Sequence, residues 1–219
     1  MKHFYGVIGA GGYGREVMPL ARVNLEGRLL SAEVDLYFVV EGDVSVQQVN
    51  GTPLISLEAF MRMPGPQHFN IAIGNSVARE RIANICVSAN MTPFQIAAAN
   101  VEILDGNEIG AGAILSSFSM VTSNARIGKF FHANIYSYVA HDCVIGDYVT
   151  FAPGVKCNGH VVVEDHAYIG TGAVIKEGSA QKPLRIGCGA VVGMGAVVTR
   201  DVPAGAIVVG NPARAMEKK

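Results

Sequence analysis

Between Ile103 and Ile175 an apolar residue returns at every sixth position. The series runs Ile103, Ile109, Leu115, Val121, Ile127, Ala133, Val139, Ile145, Phe151, Cys157, Val163, Ile169 and Ile175. In a chain that is half apolar, thirteen hits in one phase arise by chance about once in 8,000 trials, so the period is a rule of the structure. Six residues match neither a helix, at about 3.6, nor a half-buried strand, at about 2. The period fits short strands turning around a prism, with three sixes closing one coil of eighteen.

Other positions keep the same phase. Two places before the apolar residue the side chain is often small, as at Ala113, Ser119, Ala125, Ser137, Cys143, Ala167 and Ala173, which suits an inward site near a corner. Glycine follows the apolar residue at Gly110, Gly128, Gly146 and Gly170, where a corner with positive φ is expected. Coils of this kind stack about 4.8 Å apart through backbone hydrogen bonds and need a cap at each end. A β-sandwich would vary its strand lengths instead of keeping phase over four coils. The pattern breaks from Lys176 to Arg185 and resumes at Ile186-Gly187, Val192-Gly193 and Val198, which predicts a loop ejected from a corner.

The first hundred residues follow another grammar. Phe4 to Ile8 is an apolar run ending in Gly9, Ala10, Gly11, Gly12, Tyr13, Gly14 and Arg15, and Glu16 to Leu25 reads as a helix with Pro19 in its early turns. A strand, a glycine turn and a helix offer backbone N–H groups to a diphosphate. The next strand, Leu36 to Val40, leads to Glu41, a candidate acceptor for a ribose or base. A third, Phe69 to Ile73, ends in Gly74 and Asn75 ahead of a helix from Val77 to Ala89. The reading is an α/β Rossmann-like nucleotide-sugar-binding domain over 1–97, with an all-β prism over 98–219. At that size one nucleotide diphosphate fits better than a dinucleotide.

A net charge of −1 and the lack of basic runs interleaved with aromatics exclude a nucleic-acid surface. No signal peptide and no apolar stretch of membrane-spanning length is present, so a soluble cytoplasmic protein is expected. Cys86, Cys143, Cys157 and Cys188 lack metal-ligand spacing and read as buried, reduced thiols.

His141 is the candidate general base, because histidine can take a proton near neutral pH. Asp142 beside it can fix the tautomer and stabilise the imidazolium. Gly159 follows His141 by eighteen residues, so it falls one coil below on the same face, where its N–H can meet a developing oxyanion. His132, His160 and His166 read as surface or interface residues, with His160 able to line the same groove. No acyl-enzyme is expected, since Cys143 and Cys157 occupy core positions.

The six-residue repeat resembles the hexapeptide-repeat acyltransferases, whose coils form a left-handed parallel β-helix. That resemblance alone supplies the hand, because the general crossover rule favours the right hand. The ending Val209-Gly-Asn-Pro-Ala-Arg214 is similar to the segment that helps hold coenzyme A in that family. The resemblance implies acetyl-CoA along Gly159, Gly172, Gly195 and Arg214. Together with the glycine turn and the His-Asp-Cys-x-Ile-Gly-Asp stretch at His141, the whole chain resembles the sugar-nucleotide acetyltransferases of the bacillosamine and perosamine pathways, whose layout the sialic acid O-acetyltransferase group shares.

The resemblance further implies N-acetylation of the C4 amine of a nucleotide-linked 4-amino-4,6-dideoxy sugar and a homotrimer with active sites between subunits. Asn134 falls at a position near the sugar. Thr150 stands where some relatives carry a second histidine. O-acetylation of a sialic acid or another sugar, and a non-catalytic nucleotide-sugar-binding role, are the alternatives. A zinc hydratase resembling γ-type carbonic anhydrases needs three converging histidines, which His132, His141, His160 and His166 are not spaced to supply. No metal is expected.

Overall fold

A computed structural model describes residues 1–216 and resolves the chain into two compact units, Met1–Ala98 and a second beginning at Ala99. The first is built on a six-stranded sheet in the order β3-β4-β2-β1-β5-β6. Its strands are β1 (His3–Ile8), β2 (Val34–Val40), β3 (Gln48–Val49), β4 (Thr52–Ser56), β5 (Gln67–Ile71) and β6 (Thr92–Pro93). All pairings are parallel except β3 with β4 at the edge. Val7, Ile8, Phe38, Val39, Phe69 and Ile71 are fully buried, as expected of central parallel strands that read as apolar runs.

The helices of this unit are α1 (Gly12–Asn24), α2 (Glu26–Leu30), α3 (Leu57–Met61) and α4 (Ser76–Ser88). Helix α1 starts four residues earlier than the sequence predicts, so Gly12, Tyr13, Gly14 and Arg15 form its first turn and Pro19 lies in its interior. Pro19 is exposed, so its ring faces solvent. The third strand ends at Ile71, two residues short of the expected Ile73.

The second unit is a prism of parallel strands with three faces. Face 1 contains Ile114–Leu115, His132–Ala133, Thr150–Phe151, Tyr168–Ile169, Val191–Val192 and Ile207–Val209. Face 2 runs from Glu102–Ile103 to Val197–Val198, and face 3 from Glu108–Ile109 to Leu184–Ile186. Strands pair with the residue eighteen places on, as Val121 with Val139 and Ile127 with Ile145. Below the break the offset grows by five, so that Val174 pairs with Val197. The ejected loop therefore adds five residues without disturbing the stack.

The core carries the repeat. Every member of the apolar series from Leu115 to Ile175 is buried, as are the small residues two places before. Ile103 is exposed, because the first coil has only one neighbouring coil to cover it. At the other end Arg214–Ala215 pairs antiparallel with Ile207–Val209, which closes the parallel stack.

The corners differ from expectation. Positive φ occurs without a gap at every sixth residue, at Gly106, Gly112, Phe118, Asn124, Phe130, Tyr136, Asp142, Tyr148, Gly154, His160, His166 and Gly172. Gly110, Gly128, Gly146 and Gly170 are not among them. Those glycines are needed for close approach: a Cβ on Gly110 would lie 2.5 Å from the carbonyl carbon of Gly128, and one on Gly170 would lie 2.6 Å from Met194 N. The left-handed residue is the third after the inward apolar one, and most of these positions are not glycine.

Candidate active site

The corner between faces 2 and 3 carries Gly106, Asn124, Asp142 and His160 at successive left-handed positions. Adjacent side chains on an extended strand point to opposite sides. The left-handed turn at Asp142, with φ 58°, instead lets it stand beside its neighbour, with Oδ2 2.8 Å from His141 Nδ1. The Asp142 N–H donates to Ser123 O at 3.0 Å, which fixes the turn to the coil before it.

The hydrogen bond from His141 holds the Asp142 carboxyl below its ordinary 3.8. Desolvation partly offsets this, while the nearby imidazoles of His160 and His141 and a hydrogen bond with Asn124 strengthen it. An ionised Asp142 accepts the Nδ1 hydrogen and leaves the lone pair on His141 Nε2. Both side chains are about half exposed, so the imidazole is open to a substrate.

Gly159 lies directly beneath. A Cβ there would sit 2.5 Å from His141 Cε1, so only glycine lets the imidazole rest on this backbone. The Gly159 carbonyl accepts from Gly178 N–H at 3.0 Å, while its own N–H meets no backbone carbonyl among the described residues. That leaves the amide free to face an oxyanion. His160 follows, its Nε2 3.8 Å from Asp142 Oδ2 and its ring edge-to-face with His141 at 5.3 Å. Donor atoms of His141, Asp142 and His160 lie within 4.8 Å of one another, a set that could hold a cation but lacks the third histidine of a hydratase site.

Nearby, Cys143 and Cys157 are buried, and hydrogen bonding to Cys143 together with burial raises the Cys157 thiol well above its ordinary value. Burial and the charge of Glu41 push Cys86 up to about 12. Cys188 departs from the buried reading: it is exposed, because it sits in the Gly187–Gly189 corner instead of at an inward position. His132 departs too, being fully buried rather than on the surface.

No family model matches the chain. Over 217 residues it is 49% identical to the GDP-perosamine N-acetyltransferase of Escherichia coli O157:H7, covering 99% of this chain and 97% of that protein. The chain belongs to the sugar-nucleotide N-acetyltransferases of the hexapeptide-repeat family. WeeI from Acinetobacter baumannii AYE superposes on it with a TM-score of 0.93 at 52% identity, covering 98% of this chain and 100% of that one. The acetyltransferase domain of PglB from Neisseria gonorrhoeae FA1090, in complex with acetyl coenzyme A, gives 0.84 at 26% identity over 99% and 100%. As a sugar-nucleotide N-acetyltransferase, the chain takes its acetyl group from acetyl-CoA.

The other candidates of this acetyltransferase fall at separate places. Gly172 and Gly195 lie on the corner between faces 1 and 2, where a Cβ would meet nothing within 4 Å. Asn134 follows the face 1 strand His132–Ala133, and its amide donates to Phe151 O at 3.0 Å. Thr150 is buried within face 1, in register with His132 and Tyr168. Arg214 is exposed in the closing strand, with Nη1 2.9 Å from Ala213 O.

In the first unit, Gly9 takes φ 108° and its N–H donates to Val39 O at 2.8 Å; a Cβ there would lie 2.9 Å from Ala72 O. Gly11 and Gly12 are exposed with open space above them. Glu41 is held by both guanidinium nitrogens of Arg81, at 2.8 and 2.6 Å, an interaction forty residues long that no local pattern reveals. The side chain of Asn75 caps α4, accepting from Ala78 N at 2.9 Å. Arg79, also missed from sequence, is buried and donates to Ile73 O at 2.7 Å, bracing the turn at Gly74. Among the described residues no helix is long and apolar enough to cross a membrane.

Proposed function

We propose that the enzyme transfers acetyl from acetyl-CoA to the C4 amine of a nucleotide-linked 4-amino-4,6-dideoxy sugar, with GDP-perosamine as the first substrate to test. The observation carrying the reading is the 2.8 Å contact between His141 Nδ1 and Asp142 Oδ2 directly above the Gly159 backbone. The amine attacks the thioester carbonyl while His141 Nε2 takes its proton. The carbonyl oxygen gains negative charge and is met by the Gly159 N–H. Collapse breaks the C–S bond, and the departing thiolate recovers the proton from His141. No covalent enzyme intermediate is needed.

The N-terminal unit is read as a Rossmann-like nucleotide binder. Strand β1 runs between β2 and β5, so the Gly9–Gly14 turn, with Tyr13 and Arg15, and the Gly74–Asn75 turn share the carboxyl edge of the sheet where ligands collect in such folds. Glu41 is kept in that set, its carboxylate oriented by Arg81. The prism is read as left-handed and the protein as cytoplasmic. We read the enzyme as a homotrimer: His141 stands on one corner while Gly172, Gly195, Asn134 and Thr150 occupy another corner and face 1. A cleft using both sets, with Arg214 near the coenzyme, is built where two copies meet.

Thiol release from acetyl-CoA with UDP-, GDP- and dTDP-linked 4-amino sugars, and with sialic acid, tests the proposal. Rapid turnover with one amino sugar and none with sialic acid is expected. Turnover with sialic acid alone would overturn it.

A further inference from the structure

We infer that His160 is a positioning residue for the acetyl transfer, holding the Asp142 carboxylate in place for His141; the inference rests on the proposed role of His141 as base. A carboxylate and an imidazole that are about half exposed attract one another only weakly, because water competes for both. Asp142 therefore needs more than His141 to keep one orientation. Asn124 hydrogen-bonds it from the coil before, and His160 reaches it from the coil after.

His160 is the most sheltered of the three ionisable groups, with its side chain 28% exposed against 55% for His141 and 42% for Asp142. Its backbone is tied on both sides, the N–H donating to His141 O at 3.1 Å and the carbonyl accepting from Leu184 N–H at 3.2 Å. The ring is thus a fixed post. Its Nε2 lies 3.8 Å from Asp142 Oδ2, beyond a direct hydrogen bond, so it acts through charge or through one bridging water. The perpendicular packing of its ring on His141, at 88°, restrains that imidazole as well.

The turn itself does not require histidine at this position. Gly106 occupies the same left-handed place three coils before His160, in the same row, and Gly154 and Gly172 do so on another corner. An imidazole at 160 is accounted for by the carboxylate it faces.

His160→Gly keeps the backbone conformation that Gly106 already supports, and His160→Gln restores an N–H donor of similar reach. We expect His160→Gly to lower kcat about tenfold with both KM values within about twofold, and His160→Gln to recover to within about threefold of the parent. Melting temperatures of both variants should stay close to the parent's. A kcat within twofold for His160→Gly would overturn the inference, as would equal losses in the Gly and Gln variants. A raised KM with unchanged kcat would also overturn it, since that marks a substrate contact. His141→Ala, run alongside, separates the two claims: its retention of activity would sink the base assignment, whatever the His160 variants do.

Discussion

Two corner rows of the prism share one backbone and carry opposite chemistry. Along one, Phe130, Tyr148 and His166 stack nearly parallel, with centroids 5.5 and 5.3 Å apart. Along the other, the same left-handed positions hold Asn124, Asp142 and His160, which interact by hydrogen bonds and charge. The backbone demands only a left-handed residue every six positions. Each row meets its conformational cost differently, one by aromatic stacking and one with residue types that tolerate the conformation well. Phe130 and Tyr148 of the first row are buried, while Asn124 and Asp142 of the second are exposed.

The sharpest break in this division is His141→Ala, which should lower kcat by roughly 10²- to 10⁴-fold without moving the melting temperature. Steady-state rates and a thermal melt read both. Tyr148→Ala should do the reverse, costing about 3 kcal/mol of stability in denaturant titrations while the folded enzyme keeps its kcat. Asp142→Asn should slow turnover about tenfold, about 1.4 kcal/mol. Because Asp142 titrates below its ordinary 3.8, its carboxylate is ionised throughout pH 5–8, and the comparison of rates is made in that range.

The smallest effect lies outside both rows. The hydrogen bond from Arg81 lowers the pKa of Glu41, so the pair stabilises the fold above the ordinary carboxyl value of 4.5 and that contribution is lost as pH falls through the folded value. The side chains are about half exposed, so Arg81→Gln should lower the urea midpoint at pH 7 only slightly. Below the folded pKa of Glu41 variant and parent should converge in urea titrations.

The prism was legible because its core repeats in one dimension: phase alone identified Leu115 through Ile175 as inward. The same phase mislocated the reason for Gly110, Gly128, Gly146 and Gly170, since close approach of coils is a property of stacking and not of one strand. It also could not tell that His132 is covered. The juxtaposition of His141, Asp142 and Gly159 was legible because a neighbour and an eighteen-residue offset carry it. Asn124 obeys the same offset from Asp142 and was available to the same reasoning. Arg81 and Arg79 were out of reach, since their partners Glu41 and Ile73 meet them only through the packing of α4 against the sheet.

In the proposed mechanism Asp142 holds the Nδ1 hydrogen of His141 and leaves Nε2 as the base. Nitrogen NMR of the enzyme with labelled histidine, the His141 signals assigned among the six by their loss in His141→Ala, tests it most directly. Protonation at Nδ1 is expected in the parent, with loss of that preference in Asp142→Asn. A ring protonated mainly at Nε2 in the parent would contradict it.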